Sequence, residues 1–214
     1  MSPGAALPIV LIAYGGHGVV AASAMLAAGQ RVAGYLETGP RQAPDPFGLA
    51  YLGTEESYFA APRGVSAFVA VGDNRRRQSI AERFIGEGKI LPCTAVVHPS
   101  AYVGPGVHCE VLSLICAGAV VQPLARVGRG AIVNTLASVD HECEVGAFAH
   151  VAPRAVLAGN AVVGAGALVG VGAVVLPGSR IGEEATLGAG SVLTRDLPAG
   201  ETWVGNPARP ISRR

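Results

Sequence analysis

Charged residues are scarce in this sequence, and several features that would indicate a simple function class are missing. Asp, Glu, Lys and Arg make up 14% of the 214 residues, about half of the usual globular share. The net charge of +1 gives no broad attraction to nucleic acid or anionic lipid. The four cysteines show no CxxC spacing, and residues 1–8 contain no Lys or Arg, unlike a secretory leader. We therefore expect reduced thiols in a cytoplasmic protein that binds no nucleic acid.

One uncharged stretch, residues 155–179, has the composition of a membrane span. Its 25 residues contain no Asp, Glu, Lys or Arg, which is long enough for a transmembrane helix. A repeat with a period of six residues runs through this stretch without a break. The repeat predicts a solenoid core here, so we expect no membrane insertion.

The repeat fills most of the second half of the chain with aliphatic residues at every sixth position. A helix would spread such residues around its axis, whereas strand positions two apart share one face. The residues two positions earlier, from Ala95 to Ser191, are Ala, Ser or Cys at every step but Val107, so both sets are predicted to point inward. Gly often follows the aliphatic residue, as Gly128 follows Val127, and is predicted to allow a corner. Such repeats stack as parallel strands into a solenoid. Sixteen of the seventeen repeat positions are aliphatic: Val97, Val103, Cys109, Ile115, Val121, Val127, Val133, Val139, Val145, Val151, Leu157, Val163, Val169, Val175, Ile181, Leu187 and Leu193.

The first ninety residues show a different pattern, typical of a parallel α/β sheet. Apolar stretches of strand length alternate with helical stretches and with Gly-rich turns. In such sheets, ligands bind at the carboxyl ends of the strands, where the loops Gly15–Gly18, Glu37–Gly39 and Gly72–Asn74 are predicted to lie. Strands are predicted over residues 9–15, 31–37 and 66–72, and helices over residues 19–28 and 75–85.

Two domains are therefore expected. Residues 1–90 are predicted to form a small Rossmann-like parallel sheet. Residues 91–214 are predicted to form an all-β parallel β-helix, capped by the sequence WVGNPARPI at residues 203–211.

The two domains, in this order, resemble one group of enzymes. The repeat resembles that of the left-handed β-helix acyltransferases, which implies three sides per coil and about 18 residues per coil. The sequences GHG at 16–18, GYLE at 34–37 and GDN at 72–74 resemble those of bacterial sugar acetyltransferases of the bacillosamine and sialic-acid type. The resemblance implies acetyl transfer from acetyl-CoA to a nucleotide-linked amino sugar, or to sialic acid, by a homotrimer that needs no metal.

The same resemblance assigns binding of the nucleotide sugar to the N-terminal loops. Helix N-terminal amides after the Gly-rich turn would suit a pyrophosphate. In the resembling enzymes an acidic residue usually stands at the position of Thr38. This difference leaves the identity of the nucleotide base and of the sugar undetermined. The basic run Arg75–Arg77 is either a solvated helix start or a phosphate contact. The loop residues that the resemblance assigns to the substrate are Gly16, His17, Gly18, Glu37, Gly72 and Asn74.

Within the solenoid, three short sequences are similar to the family's catalytic site: VNT at 133–135, HE at 141–142 and FAH at 148–150. The resemblance implies that His141 is the general base and that Glu142 orients it or raises its basicity, with Asn134 beside the substrate. A base that titrates near neutral pH suits this chemistry, because an ammonium group cannot attack a thioester. The resemblance places acetyl-CoA beside His150, Val171 and Ala189.

The spacing of the two histidines predicts a site built from two subunits. His141 and His150 are nine residues apart, which is half of an 18-residue coil, so they should lie on opposite parts of one solenoid. Cys143 falls on the small inward position, and we expect it to be buried and inert rather than a nucleophile.

Three alternatives remain at this stage. The first is O-acetylation of sialic acid or a related sugar. The second is a metal-dependent hydratase on the same solenoid, with His108, His141 and His150 gathered at a subunit interface. The third is a nucleotide-sugar-binding protein without catalysis, against which the His141–Glu142 pair argues.

Overall fold

The computed structural model describes residues 7–59, 66–89 and 91–211, which form two compact units with a division between Cys93 and Thr94. The first unit contains a parallel sheet with the strand order β2-β1-β3-β4. Short β4 and α2 were not expected from the sequence. Its elements are β1 (Ile9–Ile12), α1 (Gly16–Ala27), β2 (Val32–Leu36), α2 (Glu55–Tyr58), β3 (Ser66–Val69), α3 (Asn74–Gly86) and β4 (Leu91–Pro92).

The second unit is a left-handed parallel β-helix whose strands form three sheets, called faces 1, 2 and 3. Ile132 pairs with His150, eighteen residues later, so each coil has the predicted length. Face 1 contains β5 (Val96–Val97), β8 (Leu114–Ile115), β11 (Ile132–Val133), β14 (His150–Val151), β17 (Leu168–Val169), β20 (Thr186–Leu187), β22 (Thr202–Val204) and β23 (Arg209–Pro210). Face 2 contains β6 (Tyr102–Val103), β9 (Val120–Val121), β12 (Ser138–Val139), β15 (Val156–Leu157), β18 (Val174–Val175) and β21 (Val192–Leu193). Face 3 contains β7 (His108–Cys109), β10 (Arg126–Val127), β13 (Glu144–Val145), β16 (Val162–Val163) and β19 (Arg180–Ile181).

The predicted inward ladder forms the core of this unit. From Ile115 to Leu193, every aliphatic repeat residue is at most 2% exposed, and burial of each such side chain contributes about 1.5–3 kcal/mol. The first coil differs, because it has a neighbouring coil on only one side. Val103 is 38% exposed there. Residues 155–179 form β15 to β18 and their turns, which confirms solenoid core. No helix within the described parts of the chain is long and apolar enough to cross a membrane.

The corners of the solenoid differ from the expectation. From Val103 to Leu187, the backbone turns at the third residue after the inward repeat residue, not at the glycine directly after it: Leu136, Glu142 and Phe148 have φ angles of 58°, 57° and 55°. The glycines directly after the aliphatic residues are needed for a different reason, which is contact with the next coil. A Cβ on Gly146 would lie 2.6 Å from the backbone nitrogen of Ala165 in the next coil. These glycines therefore allow the coils to stack closely.

Candidate active site

His141 and Glu142 lie at the edge between faces 2 and 3, in the turn that joins β12 to β13. Their side chains are 55% and 51% exposed, and Nδ1 of His141 is 3.1 Å from Oε2 of Glu142. The carboxylate of Asp140 accepts a 2.7 Å hydrogen bond from the backbone N–H of His141. Glu142 occupies the left-handed corner position, which a non-glycine residue adopts at a cost of about 1 kcal/mol.

The contact with Glu142 fixes which nitrogen of His141 can act as a base. An ionised carboxylate only accepts hydrogen bonds, so Nδ1 carries the proton and donates it to Glu142. The lone pair of the neutral imidazole is then on Nε2, away from Glu142. The geometry therefore suits proton removal from a substrate by Nε2.

The imidazole of His141 lies against Gly159, a residue that the sequence reasoning missed. A Cβ on Gly159 would lie 2.5 Å from Nε2 and 2.6 Å from Cε1 of His141. Gly159 is one coil beyond His141, and the equivalent position in neighbouring coils is proline, at Pro123 and Pro177. Aligning the coils at a spacing of 18 residues could have revealed this pairing. At this position two successive coils have His141 and Gly159, where the coils before and after have proline.

We expect Gly159→Ala to lower kcat by about 10- to 100-fold, because a displacement of about 1 Å at a reacting group has effects of this size. The three atoms nearest to the added methyl are all ring atoms of the exposed His141 side chain, which can move aside, so the free energy of unfolding should hardly change. Steady-state kinetics and urea unfolding check both expectations.

Gly86→Ala is the control for this substitution, because a methyl there meets nothing within 4 Å. In a His141→Ala background, Gly159→Ala should cause no further loss of kcat. An additional loss in that background would show that Gly159 does not act through His141.

Asn134 and His150 form a second polar cluster, next to the edge between faces 1 and 2. Oδ1 of Asn134 accepts a 2.7 Å hydrogen bond from the backbone N–H of Thr135, which fixes the orientation of the amide. Nδ2 of Asn134 then donates to Nε2 of His150 at 3.0 Å. Neutral His150 therefore carries its proton on Nδ1. Asn134 holds the orientation and the tautomer of His150.

Val171 and Ala189 lie along the same edge as Asn134, and both are exposed. The backbone N–H of Gly190 donates to the carbonyl of Val171 at 2.8 Å, so Ala189 follows Val171 in the next coil. Asn134, Val171 and Ala189 thus share one edge, with His150 on the adjoining strand of face 1. His141 lies at the opposite edge of face 2, which confirms that His141 and His150 occupy separate parts of one chain.

Cys143 and His108 are the residues named for the two alternative chemistries. Cys143 is fully buried, its Sγ donates to the carbonyl of Ala158 at 3.2 Å, and burial raises its pKa. This is the expected buried, inert thiol. His108, named for a metal site, lies on face 3, away from the strand of His150. Among the residues that the structure describes, no three His, Cys, Asp or Glu side chains could hold a metal ion.

A groove with a volume of about 560 Å³ opens on face 3. Its lining includes His108 and, within the described residues, none of those assigned to catalysis or binding, although Glu144 in its wall is two residues from Glu142. Its walls consist of His108, Glu110, Arg126, Val127, Gly128, Glu144, Val145, Gly146, Ala147, Val162, Val163 and Gly164.

In the first unit, the Gly-rich sequence lies in the first turn of α1 rather than in a loop before it, which corrects the expected helix start at residue 19. Gly15 is the N-cap, and Gly16 and His17 begin the helix. A Cβ on Gly18 would lie 2.9 Å from the carbonyl oxygen of Ala13, so this glycine allows α1 to approach the end of β1. A Cβ on Gly16 would meet nothing within 4 Å, and its backbone is open to a ligand.

The three predicted loops lie at the carboxyl ends of neighbouring strands, as the sequence predicted. His17 packs against Gly72, whose Cβ position is 3.7 Å from the Cβ of His17. The carboxylate of Glu37 accepts hydrogen bonds from the backbone N–H groups of Tyr14, at 3.3 Å, and Thr38, at 3.1 Å. Asn74 is the first residue of α3. The candidate substrate residues of this unit therefore share one edge of the sheet.

Residues 40–50, to which the sequence reasoning assigned no role, contact this edge. The hydroxyl of Tyr14 donates to Asp45 at 2.7 Å, and the ring of Tyr14 stacks on Tyr35 at 4.5 Å. Burial and the bond to Asp45 raise the pKa of Tyr14 well above its ordinary value, so this hydroxyl remains a donor. Arg41 donates to the carbonyl oxygen of Tyr14 at 2.9 Å. These contacts join residues far apart in sequence, so no local pattern could indicate them.

The basic run at the start of α3 divides into two kinds of side chain. Arg75 and Arg76 are exposed, and the Asp73 side chain caps the helix by accepting from the Arg76 backbone N–H at 2.8 Å. Arg77 is only 1% exposed, so the alternative of a solvated helix start was wrong for this residue. A run of three identical charges gives no signal for which one faces inward.

The chain matches two family models. Residues 8–84 match the PglD N-terminal domain, and residues 160–195 match the bacterial transferase hexapeptide (six repeats).

Solved structures of similar proteins cover nearly the whole chain. Perosamine N-acetyltransferase from Caulobacter crescentus, in complex with CoA and GDP-perosamine, is 34% identical, with a TM-score of 0.86 over 98% of this chain and 100% of that one. In two of its crystal structures a single histidine is replaced, by asparagine or by alanine. The acetyltransferase domain of PglB from Neisseria gonorrhoeae, in complex with acetyl coenzyme A, is also 34% identical, with a TM-score of 0.89 over 97% of this chain and 100% of that one. With this identity along both units, the chain belongs to the family of left-handed β-helix nucleotide-sugar N-acetyltransferases.

Proposed function

We propose that this protein transfers the acetyl group of acetyl-CoA to the amine of a nucleotide-linked amino sugar, with His141 as the general base. The exposed His141–Glu142 pair, on a chain that is 34% identical to a GDP-perosamine-binding N-acetyltransferase over 98% of its length, carries this proposal. The relatives bind CoA or acetyl-CoA, and the same co-substrate is proposed here. The family favours N-acetylation over O-acetylation of sialic acid.

The reaction uses the free nitrogen of His141. The sugar amine attacks the carbonyl carbon of the thioester, and its proton passes to Nε2. Glu142 accepts the hydrogen bond from Nδ1 and stabilises the imidazolium that forms. The C–S bond then breaks, and the CoA sulfur takes the proton from Nε2. The products are an amide and a free thiol, and His141 is neutral again.

Face 2 is the proposed contact between subunits, because its outward side chains are apolar except at Ser138, while those of face 3 are polar or charged except at Val162. Tyr102 and Val156 on face 2 are 50% and 37% exposed, and Leu124 and Leu136 on its two edges are 59% and 51% exposed. An exposed apolar strip of this kind marks an interaction surface. The outward residues of face 3 include His108, Arg126, Glu144 and Arg180.

The two halves of the site lie on opposite edges of this apolar face. His141 and Glu142 are at the edge with face 3, and Asn134 is at the edge with face 1, beside His150. A head-to-tail contact through face 2 would bring one edge of a subunit to the other edge of its neighbour, and such contacts close into rings. We propose a ring of three subunits with three composite sites, in which acetyl-CoA would lie between adjacent solenoids along Val171 and Ala189.

The two units are proposed to divide the ligands between them. The first unit presents Gly16, His17, Glu37 and Asn74 at the carboxyl ends of its strands, where α/β sheets bind their ligands. The start of α1 also offers backbone N–H groups to an anion such as a diphosphate. Acetyl-CoA is assigned to the edge of the solenoid.

A thiol-release assay tests the proposed function. The protein is mixed with acetyl-CoA and a panel of nucleotide amino sugars that includes GDP-perosamine, and free CoA is measured over time. We expect thiol release with at least one member, together with a mass increase of one acetyl group on its sugar. Thiol release with free sialic acid, and with no amino sugar of the panel, would contradict N-acetylation.

A truncated chain that begins at Thr94 should keep its affinity for acetyl-CoA and lose its affinity for the nucleotide sugar. The inward ladder of the second unit lies entirely within residues 94–214, so its core does not require the first unit. Calorimetric titration of both ligands against the truncated and full chains checks this. Equal affinity of both proteins for the nucleotide sugar would contradict the proposed division.

A further inference from the structure

Arg77 is a buried cation at the loop that connects β3 to α3. Its guanidinium Nη1 donates to the carbonyl oxygens of Val71 and Gly72, both at 3.0 Å, and its Nη2 donates to Oδ1 of Asn74 at 2.9 Å. These hydrogen bonds cover three of the four residues from Val71 to Asn74. The planar fork of an arginine can span such a set, whereas a lysine ammonium is a single point.

A buried charge at this place carries a free-energy cost. Burial lowers the pKa of Arg77 to about 10, although the charge of Asp73 opposes this shift, so the side chain remains charged at neutral pH. Arg77 is in the second turn of α3, near the positive end of the helix macrodipole, where a cation is disfavoured. The desolvation and the dipole are both unfavourable. The charge-assisted hydrogen bonds to the loop offset them.

The loop that Arg77 holds forms part of the candidate substrate edge. Gly72 packs against His17 of α1, so the position of this loop sets the separation of the first and third loops. Burial, with a smaller contribution from the charge of Arg77, lowers the pKa of His17 to about 4. His17 therefore remains neutral at pH 7, and the positive charge beside it belongs to Arg77.

Given the proposed function, on which this inference rests, we propose that Arg77 is a positioning residue for the nucleotide sugar. Its guanidinium fixes the loop from Val71 to Asn74 and keeps the Asn74 amide with its oxygen turned inward. The amide nitrogen of Asn74 is then on the side away from the guanidinium. Arg77 acts through this loop, while its exposed neighbour Arg76 does not.

The test compares Arg77→Met and Arg77→Lys with the matched control Arg76→Met in the full chain. The probe is the nucleotide amino sugar with the highest kcat/KM in the thiol-release assay. For Arg77→Met we expect the Kd and KM of this probe to rise about 10-fold or more, the effect of losing charge-assisted hydrogen bonds. The KM for acetyl-CoA should stay within about twofold, because the solenoid edge is untouched. A merely structural role would not separate the two substrates in this way.

Arg77→Lys keeps the charge but cannot span the three acceptors, so it should also weaken binding of the probe by about 3- to 10-fold. Asn74→Ala should have less effect in the Arg77→Met background than in the wild type, since the two residues act together. Arg76→Met should leave the Kd unchanged.

Several outcomes overturn the inference. An unchanged Kd for Arg77→Met does so, and so does an equal loss for Arg76→Met, which would indicate phosphate contacts by the exposed side chains. If Arg77→Met does not fold, a folded Arg77→Lys with wild-type affinity for the probe overturns it equally. A wild-type protein that releases no thiol with any nucleotide amino sugar overturns the proposed function itself, and the inference with it.

Discussion

His141→Ala should lower kcat by about 10²- to 10⁴-fold, the usual range for losing a general base, with little change in the Kd of either substrate. The half-exposed imidazole is not needed for packing, because its contacts are with the Glu142 side chain and the backbone of Gly159. Folding should therefore be unaffected. Stopped assays with saturating acetyl-CoA give kcat, and calorimetry gives the two dissociation constants.

Two further variants separate the role of His141 from a general effect of losing a histidine. His108→Ala removes another exposed solenoid histidine, on face 3, and should leave kcat unchanged. Glu142→Gln keeps the side-chain size and a hydrogen-bond acceptor but removes the charge that stabilises the imidazolium, so a loss of about 10-fold is expected. His141→Ala with more than a tenth of the wild-type kcat would exclude His141 as the base.

The sequence predicted the solenoid core because its signal is local and repeated. Alternate inward positions follow from strand geometry alone, and the buried residues from Ile115 to Leu193 follow the predicted phase. The corners were assigned to the wrong residue, because stacking and turning both favour glycine. Only the backbone angles distinguish Gly146, which meets the next coil, from Glu142, which turns the chain.

The site could be predicted in part. His141 and Glu142 are adjacent in sequence. Their side chains can therefore form a hydrogen bond wherever the chain makes a solenoid corner at these residues. Gly159 and Arg77 were missed for different reasons. Gly159 contacts His141 from the next coil, so its role depends on the register of stacked coils. Arg77 is one of three adjacent arginines, and tertiary packing alone decides that it turns inward to the loop.

A mixture of two inactive variants should regain activity if the site is shared between subunits. One partner is His141→Ala, which retains the half-site at the edge of face 1. The other is the double variant Asn134→Ala and His150→Ala, which retains His141 and Glu142. In a trimer that contains both variants, one of the three head-to-tail interfaces contains both intact halves. The purified mixed trimers should therefore reach about a third of the wild-type kcat, far above either variant alone.

The geometry of a single chain explains why this recovery is diagnostic. His141 lies in the turn between β12 and β13, whereas His150 lies on β14 of face 1, so one solenoid does not bring them together. Co-expression with two affinity tags, followed by purification on both, yields the mixed trimers.

The control pairs His141→Ala with Glu142→Ala. Both of these defects lie on the same edge, so every interface of their mixture keeps a damaged catalytic half and no recovery is expected. If the first mixture is no more active than its components, although both tags copurify, each site is contained within one chain and face 2 does not complete it.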